Sequence, residues 1–127
     1  MLYLPTIDYN EIGHMHELSI TQSILSLTLE QAKKVNANKI TKINLTIGEL
    51  TGIVEECVRF YFELLSKDTI AAEATLSFDK PPTTLRCRQC ATTFSPEDLT
   101  WACPNCGEQK IEIISGRECQ VSSIEVD

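Results

Sequence analysis

At 127 residues, with 43% hydrophobic and 23% charged residues, the chain has room for one globular domain, or a small one carrying a stapled appendage. A formal net charge of -7 repels a phosphate backbone on average, and no run of Lys and Arg offsets it, so nucleic-acid binding is disfavoured. Met1 to His14 lack the basic start and apolar stretch of a secretory signal, and no apolar run approaches the roughly 18 residues of a membrane span. The expected compartment is therefore the cytoplasm. Thiols stay reduced there, so six cysteines point to metal ligands before disulfides.

From His16 to about Val35 the period is helical. Leu18, Ile20, Ile24, Leu25, Leu27, Leu29, Ala32 and Val35 spread over one broad arc, with Ser19, Gln22, Ser23, Ser26, Glu30, Lys33 and Lys34 opposite. So wide an arc suits a helix laid across a sheet, and Asn36-Ala37-Asn38 offers a stop. The period then changes to two. Ile43, Leu45 and Ile47 alternate with Lys42, Asn44 and Thr46, which predicts a strand with one buried face, broken at Gly48-Glu49-Leu50-Thr51-Gly52.

A second helix is expected from about Val54 to Ser66, then a short strand over Ala74 to Phe78, ended by Pro81-Pro82. After a cysteine segment, Ile111-Glu112-Ile113-Ile114 suggests a strand. Ser115-Gly116 is a turn, and Cys119, Val121, Ile124 and Val126 belong to a final strand. The fold class is α+β: two helices on a small three-stranded sheet, with an inserted zinc-ribbon-like lobe. The expected division is residues 1–14 as an extension outside the folded unit or the native protein, 15–82 with 111–127 as one α/β domain, and 83–110 as the zinc lobe.

The cysteine segment reads Cys87-x-x-Cys90, twelve residues, Cys103-x-x-Cys106. Two residues between ligands let a tight turn aim both sulfurs at one ion, and two such turns complete a tetrahedron suited to zinc. Pro104 and Gly107 favour the second turn. Four thiolates leave no open coordination position, so the site is structural. With few apolar residues beyond Leu85, Phe94, Leu99 and Trp101, the segment needs its metal to fold. Iron in the same geometry, disulfides, and a redox pair at Cys103-Pro104-Asn105-Cys106 rank below zinc. Cys57 and Cys119 stand outside the pattern and read as small buried apolar residues.

Both histidines lie in His14-Met15-His16-Glu17. A solvated helix entry is the plain reading of such a pair. A helix start, however, disfavours positive charge, which keeps His16 neutral and able to donate a lone pair, and Glu17 adds an oxygen donor.

Met15-His16-Glu17-Leu18-Ser19 resembles the starting motif of the HypA family, the nickel metallochaperones of nickel–iron hydrogenase maturation. The resemblance continues through Ile47-Gly48-Glu49-Leu50, Phe60-Tyr61-Phe62-Glu63, the two cysteine pairs, Gly116-Arg117-Glu118 and Ser123-Ile124-Glu125-Val126. It implies a non-enzymatic carrier with structural Zn(2+) and transported Ni(2+). The implied partners are a maturation GTPase, the hydrogenase large-subunit precursor and, for some members, an accessory peptidyl-prolyl isomerase, with no nucleic acid and no membrane. It also implies that His16 ligates nickel by its imidazole and backbone nitrogen, with backbone donors from Met15 and Glu17. Fused chelate rings of this kind suit the tetragonal preference of Ni(II).

Family members begin at the methionine matching Met15, and residues 1–14 match nothing in the family. This leaves two readings. The functional chain starts at Met15 with a free amine, or the amine is lost and His14 replaces it in a His-x-His pair. The competing function is a zinc-ribbon interaction or nucleic-acid-binding module. Against it, Arg86, Arg88 and Lys110 are offset by Glu97, Asp98 and Glu108.

Overall fold

A computed structural model of the chain describes residues 2–3, 17–96 and 101–127. His14, Met15, His16, Glu97, Asp98 and Leu99 lie outside the described residues. In chain order the elements are β1 (Leu2–Tyr3), α1 (Glu17–Lys34), β2 (Ile40–Ile47), a single 3-10 turn (Glu49–Thr51), α2 (Glu55–Leu65), β3 (Thr75–Asp79), β4 (Thr84–Cys87), β5 (Thr93–Phe94), β6 (Ile111–Ser115) and β7 (Cys119–Val126).

Helix α1 carries Glu17 in its first turn and Lys33 and Lys34 in its last, matching the helix dipole at both ends. It stops where expected: Asn36 takes a left-handed φ of 54°, and the Ala37 amide returns to the Ala32 carbonyl at 3.0 Å. Its buried stripe is narrower than the apolar arc and partly polar, comprising Ile20, Thr21, Ile24, Leu25, Thr28 and Ala32. Thr21 and Thr28 enter because their hydroxyls donate to the helix's own carbonyls, of Glu17 at 2.6 Å and Leu25 at 3.0 Å. Leu18 and Val35, at the stripe's ends, are exposed.

Strand β2 is central to the main sheet, whose order is β1-β7-β2-β3. β2 pairs in parallel with β3 after a crossover through α2, and antiparallel with β7. Ile43, Leu45 and Ile47 point into one core with Ile20, Ile24, Val58, Phe62, Val121 and Ile124, so both helices cover the same face. The opposite face carries Lys42, Asn44 and Thr46, where Asn44 donates to Ser123 at 2.9 Å and Thr46 meets Ser122 at 2.6 Å.

Two boundaries differ from the sequence reading. Ile111–Ser115 pairs with β4 in a separate three-stranded sheet, β5-β4-β6, so the inserted lobe runs on to residue 115 rather than ending at 110. Its half-buried residues find their partners in β4, with Ile113 opposite the fully buried Leu85. Leu2–Tyr3, within the extension expected outside the folded unit, form the edge strand β1: Leu2 pairs with Ile124 and Tyr3 with Ser123. Three expected strands thus become four.

The two sheets meet at Gly48. Its amide donates to the Glu118 carbonyl at 2.7 Å, the Glu49 amide to Pro81 at 3.1 Å and the Leu50 amide to Gly116 at 2.7 Å. A Cβ on Gly48 would stand 2.2 Å from the Gly116 carbonyl oxygen, a backbone atom, so no side chain fits there. We expect Gly48→Ala to cost about 2–3 kcal/mol in urea unfolding, the range of an overpacking substitution that must push backbone aside.

Candidate metal centre

The four cysteines converge. Every ligand sulfur of Cys87, Cys90, Cys103 and Cys106 lies within 4.8 Å of the others. Cys87 Sγ stands 3.6 Å from Cys106 Sγ, and Cys90 Sγ 3.5 Å from Cys103 Sγ. A tetrahedral ion with metal–sulfur bonds of about 2.3 Å requires sulfurs roughly 3.8 Å apart, so the cage fits such an ion. All six cysteines of the chain are free thiols.

Two copies of one backbone device build the cage. In the first, the Gln89 amide donates to Cys87 Sγ at 3.4 Å, the Ala91 amide to the Cys87 carbonyl at 2.9 Å, and the Cys87 amide to Thr92 at 2.9 Å. In the second, Asn105 donates to Cys103 Sγ at 3.4 Å, Gly107 to the Cys103 carbonyl at 2.8 Å, and Cys103 to Glu108 at 2.9 Å. Both turns need a left-handed residue just after the second cysteine. Gly107 supplies it at φ 75°, whereas Ala91 is forced to 63°.

The leading cysteine of each turn is buried and the trailing one more open. Around Cys90, the Thr92 hydroxyl at 3.1 Å and the Asn105 side-chain amide at 3.6 Å favour the thiolate. These contacts, the Thr92 hydroxyl foremost, lower the Cys90 thiol to about 5. At Cys106 the Glu108 backbone favours ionisation, but burial and the three neighbouring sulfurs outweigh it, pushing that thiol up to about 12. Adjacent thiolates cannot all ionise without a cation among them. Loading a metal at neutral pH therefore releases protons, and the site weakens as pH falls.

Thr92 and the Asn105 side chain are site residues that spacing alone did not single out. Cys119, outside the cage, is buried, and burial raises its thiol to about 11; Cys57 is half-buried. Trp101, within the lobe, is half-buried. Arg86 and Arg88 both pair with Glu112, which engages two of the cations flanking the cage.

Of the other motif, Glu17, Leu18 and Ser19 are among the described residues. Glu17 opens α1, and its carboxylate accepts the Val54 amide at 3.3 Å, tying the helix start to the loop before α2. Met15 and His16 lie outside them, so no geometry is assigned to either. No helix among the described residues is long and apolar enough to cross a membrane.

A two-layer α/β domain with an inserted four-thiolate ribbon defines a small two-lobed metal-binding protein. Residues 15–126 match the family described as hydrogenase/urease nickel incorporation, metallochaperone, hypA, and the chain belongs to it. A hydrogenase maturation factor HypA from Dehalococcoides mccartyi is 44% identical over 113 residues, 89% of this chain and 95% of its own. The one from Caldanaerobacter subterraneus is 42% identical over 114 residues, 89% of this chain and 100% of its own. The solution structure of the Ni metallochaperone HypA from Helicobacter pylori superposes with a TM-score of 0.65 at 29% identity, covering 88% of this chain and 97% of that one. A second HypA solution structure reaches 0.71 at the same identity, covering 91% and 98%.

The strained Ala91 yields a prediction. It is exposed, so Ala91→Gly loses no packing and relieves the left-handed backbone. The variant should stabilise the lobe by about 1 kcal/mol, read as roughly fivefold tighter metal binding in a chelator competition.

Proposed function

We propose that this chain is a nickel carrier rather than an enzyme: it binds Ni(II) at the start of α1 and delivers it during nickel–iron hydrogenase maturation. The observation that carries this reading is where the family match opens, at Met15, the first residue of the motif that contains His16. His16 supplies its imidazole and backbone nitrogen, with Met15 and Glu17 adding backbone donors. Amides in the first turn of a helix have no acceptor within it, so that of Glu17 can turn to a metal without breaking α1. An open, incomplete ligand set of this kind lets an ion be taken up and handed on.

Zinc is the ion we assign to Cys87, Cys90, Cys103 and Cys106. The converging sulfurs and the closed shell support a structural role, with the lobe at 83–115 and the nickel-binding domain at 15–82 and 116–127. The partners are a maturation GTPase and the hydrogenase large-subunit precursor in the cytoplasm, with an accessory peptidyl-prolyl isomerase in organisms that use one.

Nickel titration of the zinc-loaded protein tests the site. His16→Ala should lose nickel binding by at least about a hundredfold, the effect of removing the strongest donor of a chelate, while keeping one zinc and its circular dichroism spectrum. Wild-type affinity in that variant would remove His16 from the site. Cys87→Ser should lose the zinc and the β5-β4-β6 amide protection, while the β1-β7-β2-β3 sheet stays folded. Chains beginning at Met1 and at Met15 should differ in nickel affinity, the shorter binding more tightly through its free amine. Equal affinities would exclude the amine as a ligand.

A further inference from the structure

Ile47-Gly48-Glu49-Leu50 and Gly116-Arg117-Glu118 belong to neither metal site, yet they lie against each other. Only two chain segments join the metal lobe to the main sheet: residues 80–83, leading into β4, and residues 116–118, leading out of β6. The segment after β2 grips both. On the entry side, the Glu49 amide donates to Pro81 at 3.1 Å, and the Glu49 carboxylate accepts the Thr83 amide at 3.0 Å and its hydroxyl at 3.4 Å through the same Oε2. On the exit side, the amides of Gly48 and Leu50 donate to Glu118 and Gly116, while the Glu118 carboxylate accepts the Gly116 amide at 2.6 Å. Ser115 closes the ring by donating its hydroxyl to the Pro82 carbonyl at 2.8 Å.

We propose that Glu49 is the positioning residue that fixes the metal lobe against the main sheet, through contacts at the lobe's entry segment that hold whether or not the lobe has its metal. Within this ring Glu49 supplies the side-chain acceptor for the entry segment. Thr83 is buried at 5% exposure, so without that carboxylate its amide is left sealed and unpaired. The entry segment then has to swing outward to reach water, and the lobe swings with it. The exit segment keeps its bonds to Gly48 and Leu50 and becomes the single pivot about which the lobe turns. All of these contacts lie outside the cage, so the lock does not depend on the ion.

The test uses residual dipolar couplings on the zinc-loaded full chain, measured for amides of β2 and β7 against those of β4 and β6. Wild type should fit one alignment tensor for both groups. Glu49→Ala should require two, and its Thr83 amide should exchange at least about tenfold faster. Glu49→Gln, which keeps a carbonyl acceptor, should return to one tensor. One tensor for Glu49→Ala with unchanged Thr83 exchange overturns the proposal, as does Glu49→Gln behaving like Glu49→Ala. The proposal rests on the zinc reading only for the ion used. Zinc stoichiometry is therefore measured alongside: a shortfall in wild type counts against that reading and not against the lock. Should Glu49→Ala fail to fold, wild type stripped by a chelator decides. Leu50 and Thr83 amides should stay protected while Cys87 and Gly107 amides exchange, and loss at all four overturns the proposal.

Discussion

The backbone of β2 is hydrogen-bonded along both edges, to β3 on one side and β7 on the other, and nearly every other feature of the molecule depends on that. A strand paired on both sides and packed beneath two helices has no freedom of register. Shifting it by one residue would turn Ile43, Leu45 and Ile47 to the polar face. The residue at its end, Gly48, is therefore delivered to a fixed place. From there the chain can hold both strands of the inserted lobe on one side and reach toward the start of α1 on the other.

The two metal sites proposed above share this frame without sharing geometry. The cage is built by backbone turns and filled by sulfur, so it is closed by its own construction. The helix start offers nitrogen and oxygen donors at the edge of a helix, where amides are unspent by secondary structure. On the function proposed above, one arrangement retains an ion and the other lends it. That division suits a carrier, since an open ligand set hands an ion to a partner more readily than a closed shell does.

Much of this was legible in the sequence because it is local. The 3.6-residue period marked both helices, the alternation at Ile43, Leu45 and Ile47 marked β2, and the spacing of the cysteines gave the cage. What escaped is what depends on distant partners. Nothing in Ile111–Ser115 says that it pairs with Thr84–Cys87 rather than with the main sheet. Leu2–Tyr3 has no period long enough to read, and its place comes from β7. Thr21 and Thr28 look like surface residues until their hydroxyls are seen to bond inside the helix. Glu49 looks like a turn residue for the same reason: its partner, Thr83, is thirty-four positions away.

The lobe is inserted between two strands that must flank the same third strand, and this gives the cage a part in the order of assembly. Before β7 can dock on β2, the chain has to close a loop of roughly forty residues running from Asp79 to Cys119. Pairing of β4 with β6 brings Thr84 opposite Ser115 and shortens that excursion to about nine residues. The entropy of closure then falls by about 1 kcal/mol. A metal captured by the nascent lobe would thus act as a splint, holding the two ends of the insert together while the last strand docks.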